Sequence, residues 1–217
     1  MKRMLLIAVA LLCAACTELP DMLYKSLLFG DMQSSGVFRG DDGVTYTFGN
    51  LEDFKGFPSS GRLVVLLEAY EKGDADDRYF ARIVNYAVPL CKEPVKDLSE
   101  EEEAALGPDP IRMDRAVISG GHINMQFSIM VKDGSDVKHE INLELLPSTP
   151  NDTLHMVLRH NAKGDRYDGS DPDSFNTYSY YACFPIRDAV KAGNYSAMEI
   201  SWLWDETWTS SSTSVKQ

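Results

Sequence analysis

The 217-residue chain sets 33 acidic residues against 21 basic ones, a net charge of −12, and a surface that negative repels phosphate backbones and anionic headgroups. Nucleic acid and purely electrostatic membrane docking are excluded on that ground. A hydrophobic share of 44%, with 10 Tyr, 9 Phe and 3 Trp, supplies packed cores for one large or two small domains and excludes a disordered chain.

The first element is a leader. Lys2 and Arg3 precede an apolar run over residues 4–12, and Cys13-Ala14-Ala15-Cys16 follows. That is the layout of a secretory signal, too short to stay in a bilayer as a spanning helix. Ending on Cys16 gives it the form of a lipoprotein signal, cut after Ala15 once the Cys16 thiol is diacylated. Cys13 is a poor acceptor because Leu12 in front of it is too large for the cleavage pocket. Removing residues 1–15 leaves 19 basic against 33 acidic residues, a net −14. Lipid therefore has to supply the membrane attachment. Thr17, where an Asp would favour inner-membrane retention, directs the protein to the outer membrane.

Residues 16–35 read as a lipidated tether. Two β-rich runs then flank Gly40-Asp41-Asp42-Gly43 as a hairpin. Residues 62–70 form the strongest strand: Leu63, Val65, Leu67 and Ala69 share one face, while Val64 and Leu66 keep the other apolar, as in a strand buried on both sides. After the acidic turn 73–77, residues 78–88 alternate again. Four or five such strands closed by tight turns fit a small barrel over 36–94.

Residues 95–110 break the pattern. Ser99 N-caps a short acidic helix beginning at Glu100, and Gly107-Pro108-Asp109-Pro110 ends it. This reads as an exposed acidic linker between domains. From 111 to 206 the chain is again strands. Ile123, Met125, Phe127, Ile129 and Val131 make one inward face. Val137, His139, Ile141, Leu143 and Leu145 make the next. Further runs over 154–158, 178–186 and 198–204 complete an antiparallel β-sandwich of immunoglobulin-like size. The Ser/Thr-rich end, 207–217, reads as a disordered tail.

The fold class is therefore all-β. The order of segments Val44-Thr45-Tyr46-Thr47-Phe48, 62–70, Ile83-Val84-Asn85-Tyr86 and Ile200-Ser201-Trp202-Leu203-Trp204 resembles the NigD-like lipoproteins over nearly the whole mature chain. The resemblance implies an OB-type N-terminal barrel, a C-terminal β-sandwich and a link to bacteriocin immunity or secretion. It carries over no catalytic residues.

Several side chains are candidates for chemistry. Cys91 and Cys183 remain in an oxidising compartment, where a disulfide between them is open; the alternative is two unpaired, buried cysteines. His155 and His160, five apart, fall on opposite faces of a strand and make a poor metal pair, while His139 on an apolar face reads as a core histidine. Ser119-Gly120-Gly121-His122 puts a nucleophile beside a base, but its chemistry is that of a hairpin turn. Asp165, Asp168, Asp171 and Asp173 share one loop that could wrap Ca²⁺, although the spacing matches no EF-hand and a solvated turn explains it as well. No other cofactor is expected.

These readings converge on a lipid-anchored, non-enzymatic envelope protein with a basic protein partner steered by Asp74, Asp76 and Asp77 or by the 100–103 run. The alternative is a glycan-binding accessory lipoprotein using Tyr46, Phe48, Tyr70, Tyr79 and Tyr86 on the barrel, since that barrel face often binds oligosaccharides.

Overall fold

The computed structural model describes residues 22–147, 153–167, 169, 171–193, 195–204 and 207–214. Cys16 and Asp168 lie outside the described residues, so the expected lipidation and one member of the acidic loop are not placed.

Period-two alternation builds the first half. Strands β1 (Tyr24–Ser34), β2 (Val37–Gly40), β3 (Thr45–Phe48), β4 (Gly61–Lys72) and β5 (Arg78–Ala87) close a barrel in the order β1-β2-β3-β5-β4. Only the β3–β5 pairing is parallel, and that order and polarity are those of an OB barrel. Leu63, Val65 and Leu67 of β4 point inward with Phe38, Tyr46, Ala81 and Ile83, all essentially buried. Each large side chain so buried contributes about 1.5–3 kcal/mol. Edge-to-face contacts of Phe54 and Phe57 with Tyr86, the second at 4.7 Å between centroids, close one end of the barrel.

The barrel starts earlier than the sequence pattern suggests. The expected tether, 16–35, contains β1, whose residues pair along β4 from Tyr24↔Ala69 to Met32↔Gly61. It ends earlier too, at Ala87 rather than 94. The next short strands, β6 (Leu90–Cys91) and β7 (Val95–Lys96), belong to the sandwich.

The sandwich adds helix α1 (Glu100–Ala105) and strands β8 (Arg112–Ser119), β9 (His122–Lys132), β10 (Glu140–Leu145), β11 (Thr153–Asn161) and β12 (Phe175–Pro185). Helix α2 (Arg187–Gly193) and strands β13 (Ala197–Trp204) and β14 (Thr207–Ser214) complete it. One sheet runs β14-β13-β11-β10-β7 and the other β6-β12-β9-β8. Their inner faces meet through Ile123, Met125 and Phe127 against Leu143, Met156 and Leu158. The pairing is mixed where a purely antiparallel sandwich was expected: β7–β10, β11–β13 and β6–β12 are parallel. The long chain between β11 and β13 crosses to the opposite sheet as β12 and returns, which leaves its flanking strands parallel. The expected disordered tail instead forms β14 over residues 207–214, paired along β13.

The acidic linker is not loose. Ser99 caps α1 in a reciprocal capping box with Glu102. Glu103 pairs with Arg159, which also binds the buried Glu144 at 2.7 Å. Asn161 donates to Ala105 O at 2.9 Å, and Lys92 binds Asn142. Gly107, at φ +86°, passes so close to β11 that a Cβ would sit 2.5 Å from Asn161. Residues 95–110 thus wrap the sandwich edge instead of hinging between domains.

Candidate functional site

The barrel rests on the sandwich through the outer faces of β1 and β4. Val64, on the outward face of β4 yet only 1% exposed, packs with Phe29 against Cys183, and Phe29 meets Tyr181 edge-to-face at 5.9 Å. That contact is why β4 is apolar on both faces. Two residues before Val64, Arg62 occupies the same face, its side chain 5% exposed. Its guanidinium donates to Asp41 at 2.5 and 3.1 Å, to Asp31 at 3.2 Å and to Asn124 Oδ1 at 2.8 Å. Burial would lower its pKa, but the hydrogen bonds and charge of Asp41 more than reverse this, and it stays an ion. Ser119 Oγ and Asn124 Nδ2 donate to the same carboxylate at 2.7 and 3.1 Å. Gly120, at φ +58°, is in the turn that abuts Asp41, where a Cβ would lie 2.2 Å from its Oδ1.

That network decides the Ser119–His122 reading. Ser119 spends its hydroxyl proton on Asp41, and His122 Nδ1 lies 3.1 Å from Gly120 O. The segment is a hairpin turn docked on the barrel.

The cysteines do converge. Cys91 of β6 is the register partner of Cys183 in β12, and both are reduced, Cys183 buried and Cys91 exposed. Spacing along the chain gives no sign of this adjacency, because β6 is two residues long and its partner strand is 92 positions away.

A second polar cluster escaped the sequence pattern altogether. His139 Nδ1 and His160 Nε2 are 2.9 Å apart, His139 Nε2 is 3.2 Å from Asp165 Oδ2, and His160 Nδ1 donates to Pro110 O at 2.8 Å. His139 and Asp165 side chains are 4% and 3% exposed. Since Pro110 O can only accept, His160 presents an unprotonated Nε2, and His139 must supply the proton between the rings. Burial holds the His160 pKa down, which keeps that ring neutral. Burial pushes Asp165 up, but hydrogen bonds from Ser135, His139 and the Lys132 amide outweigh it and leave its pKa lowered. The expected core histidine, His139, is therefore one link in a buried chain. His155, on the opposite face of β11, lies 4.0 Å from Glu199 instead.

This chain joins two cavities. His160 and Asp165 line one of about 420 Å³, beside Arg112, Arg166 and Trp204. His139 lines a cleft of about 740 Å³ between the β9–β10 loop and the middle of β12, where Tyr178 and Tyr180 are 47% and 43% exposed.

Of the four acids considered for Ca²⁺, Asp168 lies outside the described residues. Asp165 is committed to His139 and the Lys132 amide, and Asp171 binds Ser174. Among the described residues no group of three or more His, Cys, Asp or Glu is placed to hold a metal. Of the aromatics considered for a sugar platform, Tyr46 and Phe48 are core, and Tyr70, Tyr79 and Tyr86 are half-buried, the last two in ring contacts with Tyr24, Phe54 and Phe57. Of the acids expected to steer a partner, Asp76 pairs with Lys72 at 2.7 Å, Asp77 with Arg39 at 2.9 Å and Glu103 with Arg159.

An OB-order barrel seated on a two-sheet sandwich defines a two-domain all-β protein. The model of the NigD-like C-terminal beta sandwich domain matches residues 93–202, so the chain belongs to the NigD-like family. The start of that match places the wrapped connector with the sandwich. No curated protein matches the chain. Among solved structures it is similar to a protein of unknown function from Bacteroides vulgatus, with a TM-score of 0.72 and 15% identity over 89% of this chain and 92% of that one. It is similar to a NigD-like immunity protein from Bacteroides caccae at TM-score 0.56 and 16% identity, over 89% and 93%. A candidate lipoprotein from Bacteroides fragilis aligns at TM-score 0.63 and 9% identity, over 89% and 98%. At these identities the likeness is one of fold.

Proposed function

We propose that the protein is a lipid-anchored, non-enzymatic binding protein of the cell envelope, held on the outer membrane through Cys16 and serving immunity to, or secretion of, a bacterial toxin. The observation that carries this reading is membership of the NigD-like family together with near full-length likeness to a NigD-like immunity protein. The lipoprotein form of residues 1–16 and the likeness to a candidate lipoprotein support the anchor. Engagement of Ser119, His122 and Asp165 in holding the fold supports binding over catalysis. The partner is a basic protein, matched to a mature charge of −14.

A strain lacking the gene, challenged with supernatants of toxin-producing relatives, should become sensitive. The wild-type chain should restore resistance, and Cys16→Ala should fail to be lipid-labelled or to restore it. Unchanged sensitivity, with no basic protein captured from native envelope, would overturn the reading. Exposed Tyr178 and Tyr180 in the 740 Å³ cleft favour glycan binding as a second reading. Binding of envelope polysaccharide that Tyr178→Ala and Tyr180→Ala abolish would support it.

A further inference from the structure

Cys91 and Cys183 are directly opposed on neighbouring parallel strands, and Lys92 N donates to Cys183 O at 3.3 Å to hold that register. Opposed positions on adjacent strands lie about 5 Å apart and project to the same face. That falls inside the Cα separation of about 4.4–6.8 Å that a disulfide spans. The two sulfurs differ in access, Cys91 being exposed and Cys183 fully buried beneath Phe29 and Val64. Arg62 is a cation at the same seam, with its Nε buried and lacking a hydrogen-bond acceptor. Its charge favours a thiolate on either sulfur.

We infer that Cys91 and Cys183 are a redox-active dithiol, in which Cys91 reacts first with an external disulfide and the bond then closed to Cys183 clamps the connector onto the sandwich at the barrel seam. The hydrogen bond from Cys183 lowers the Cys91 pKa to about 7, with Arg62 assisting against burial and Asp31. The same hydrogen bond and burial push Cys183 up. Cys91 is accordingly the thiolate and Cys183 the proton-bearing partner. In the first step the Cys91 thiolate attacks one sulfur of the oxidant disulfide, whose S–S bond breaks, and the departing thiolate takes up the proton Cys91 released. In the second, Cys183 attacks the Cys91 sulfur, and its proton goes to the second departing thiolate. Two protein thiols and one small disulfide become one protein disulfide and two small thiols.

The full chain, reduced and then incubated with oxidised glutathione, is alkylated and mapped by mass spectrometry after trypsin cleavage. Peptides 83–92 and 167–187 should appear joined, while Cys13 and Cys16 fall on a separate N-terminal peptide. In Cys183→Ala, glutathione should accumulate on Cys91. In Cys91→Ala, an exposed position where the fold is not at stake, Cys183 should stay unmodified. Oxidation should raise the Tm of the wild type and of neither variant. Absence of the joined peptides, glutathione persisting on wild-type Cys91, or modification of Cys183 in Cys91→Ala would overturn the dithiol. An unchanged Tm on oxidation would overturn the clamp.

Discussion

Arg62→Met tests whether the seam is held by charge. The methionine keeps an unbranched apolar stem, so the change is largely the loss of the guanidinium. Asp41, whose side chain is 7% exposed, then keeps only the neutral donors Ser119 and Asn124 against a full negative charge. Removing one member of a buried ion pair costs about 3–5 kcal/mol, most of it from stranding the other charge. Adding Asp41→Asn to the same chain removes that stranded charge and leaves an amide that Ser119 can still reach. The double variant should therefore recover to within about 1 kcal/mol of wild type. Urea denaturation measures both. All three tryptophans, at 202, 204 and 208, follow the barrel in sequence, so their fluorescence reports on the sandwich while circular dichroism reports on both domains. A loss of under about 1 kcal/mol in Arg62→Met, or a double variant no more stable than the single, would refute the argument.

Gly107→Ala should destabilise by at least about 1 kcal/mol, because φ is +86° and the new Cβ meets β11 backbone; a neutral effect in thermal melts would mean the connector is not wedged there. Stability should fall on acidification. The unfolded chain protonates His160 near pH 6.5 while the folded ring, its pKa lowered by burial, does not, so the loss begins below about pH 6.5 at no more than about 1.4 kcal/mol per pH unit. Asp165, lowered from 3.8, adds a second acid-side loss below that value, and melts of His160→Asn between about pH 7 and about pH 5 should show a flatter profile. Association with a basic partner should slow as salt shortens the Debye length to about 10 Å near 0.1 M, and Glu100→Gln with Glu101→Gln should slow it further; rates indifferent to both would make the charge a solubility device.

Much of the fold was legible because alternation reports burial directly. The two apolar faces of residues 62–70 mark a strand covered on both sides, and Val64 under the sandwich is the physical reason. Ser99 marked its helix because a capping box is local chemistry. What failed to show depends on long-range pairing. β1 was obscured because Lys25, Ser26 and Asp31 break its apolar runs, and only pairing with β4 makes it a strand. α2 lies between two alternating strand runs and is too short to show a helical period of its own, although Ala189 and Val190 pack on the core. Residues 207–214 are Ser/Thr-rich, and β14 exists because β13 offers an edge to pair with. The His139–His160–Asp165 chain needs β11 beside β10 and a loop folded back onto both, so no spacing rule finds it.

The seam and the anchor together bear on where a partner can dock. From Cys16 to Tyr24 there are eight residue steps, which reach roughly 28 Å at full extension. On the proposed anchoring, the barrel end where β1 begins therefore stays close to the bilayer. Leu23 N donates to Ala69 O at that end at 2.7 Å, and the chain turns through residues 73–77 soon after, so Asp74, Asp76 and Asp77 lie at the barrel end where β1 begins. Asp76 and Asp77 are already paired with Lys72 and Arg39. Helix α1 is different, since it is stitched to the sandwich edge, and the Arg62 network fixes that sandwich relative to the barrel. Glu100 and Glu101, exposed and outside any ion pair among the described residues, form an acidic face on α1. For the basic partner proposed above, α1 therefore offers more unpaired acidic charge than the 73–77 turn, where Asp76 and Asp77 are already paired.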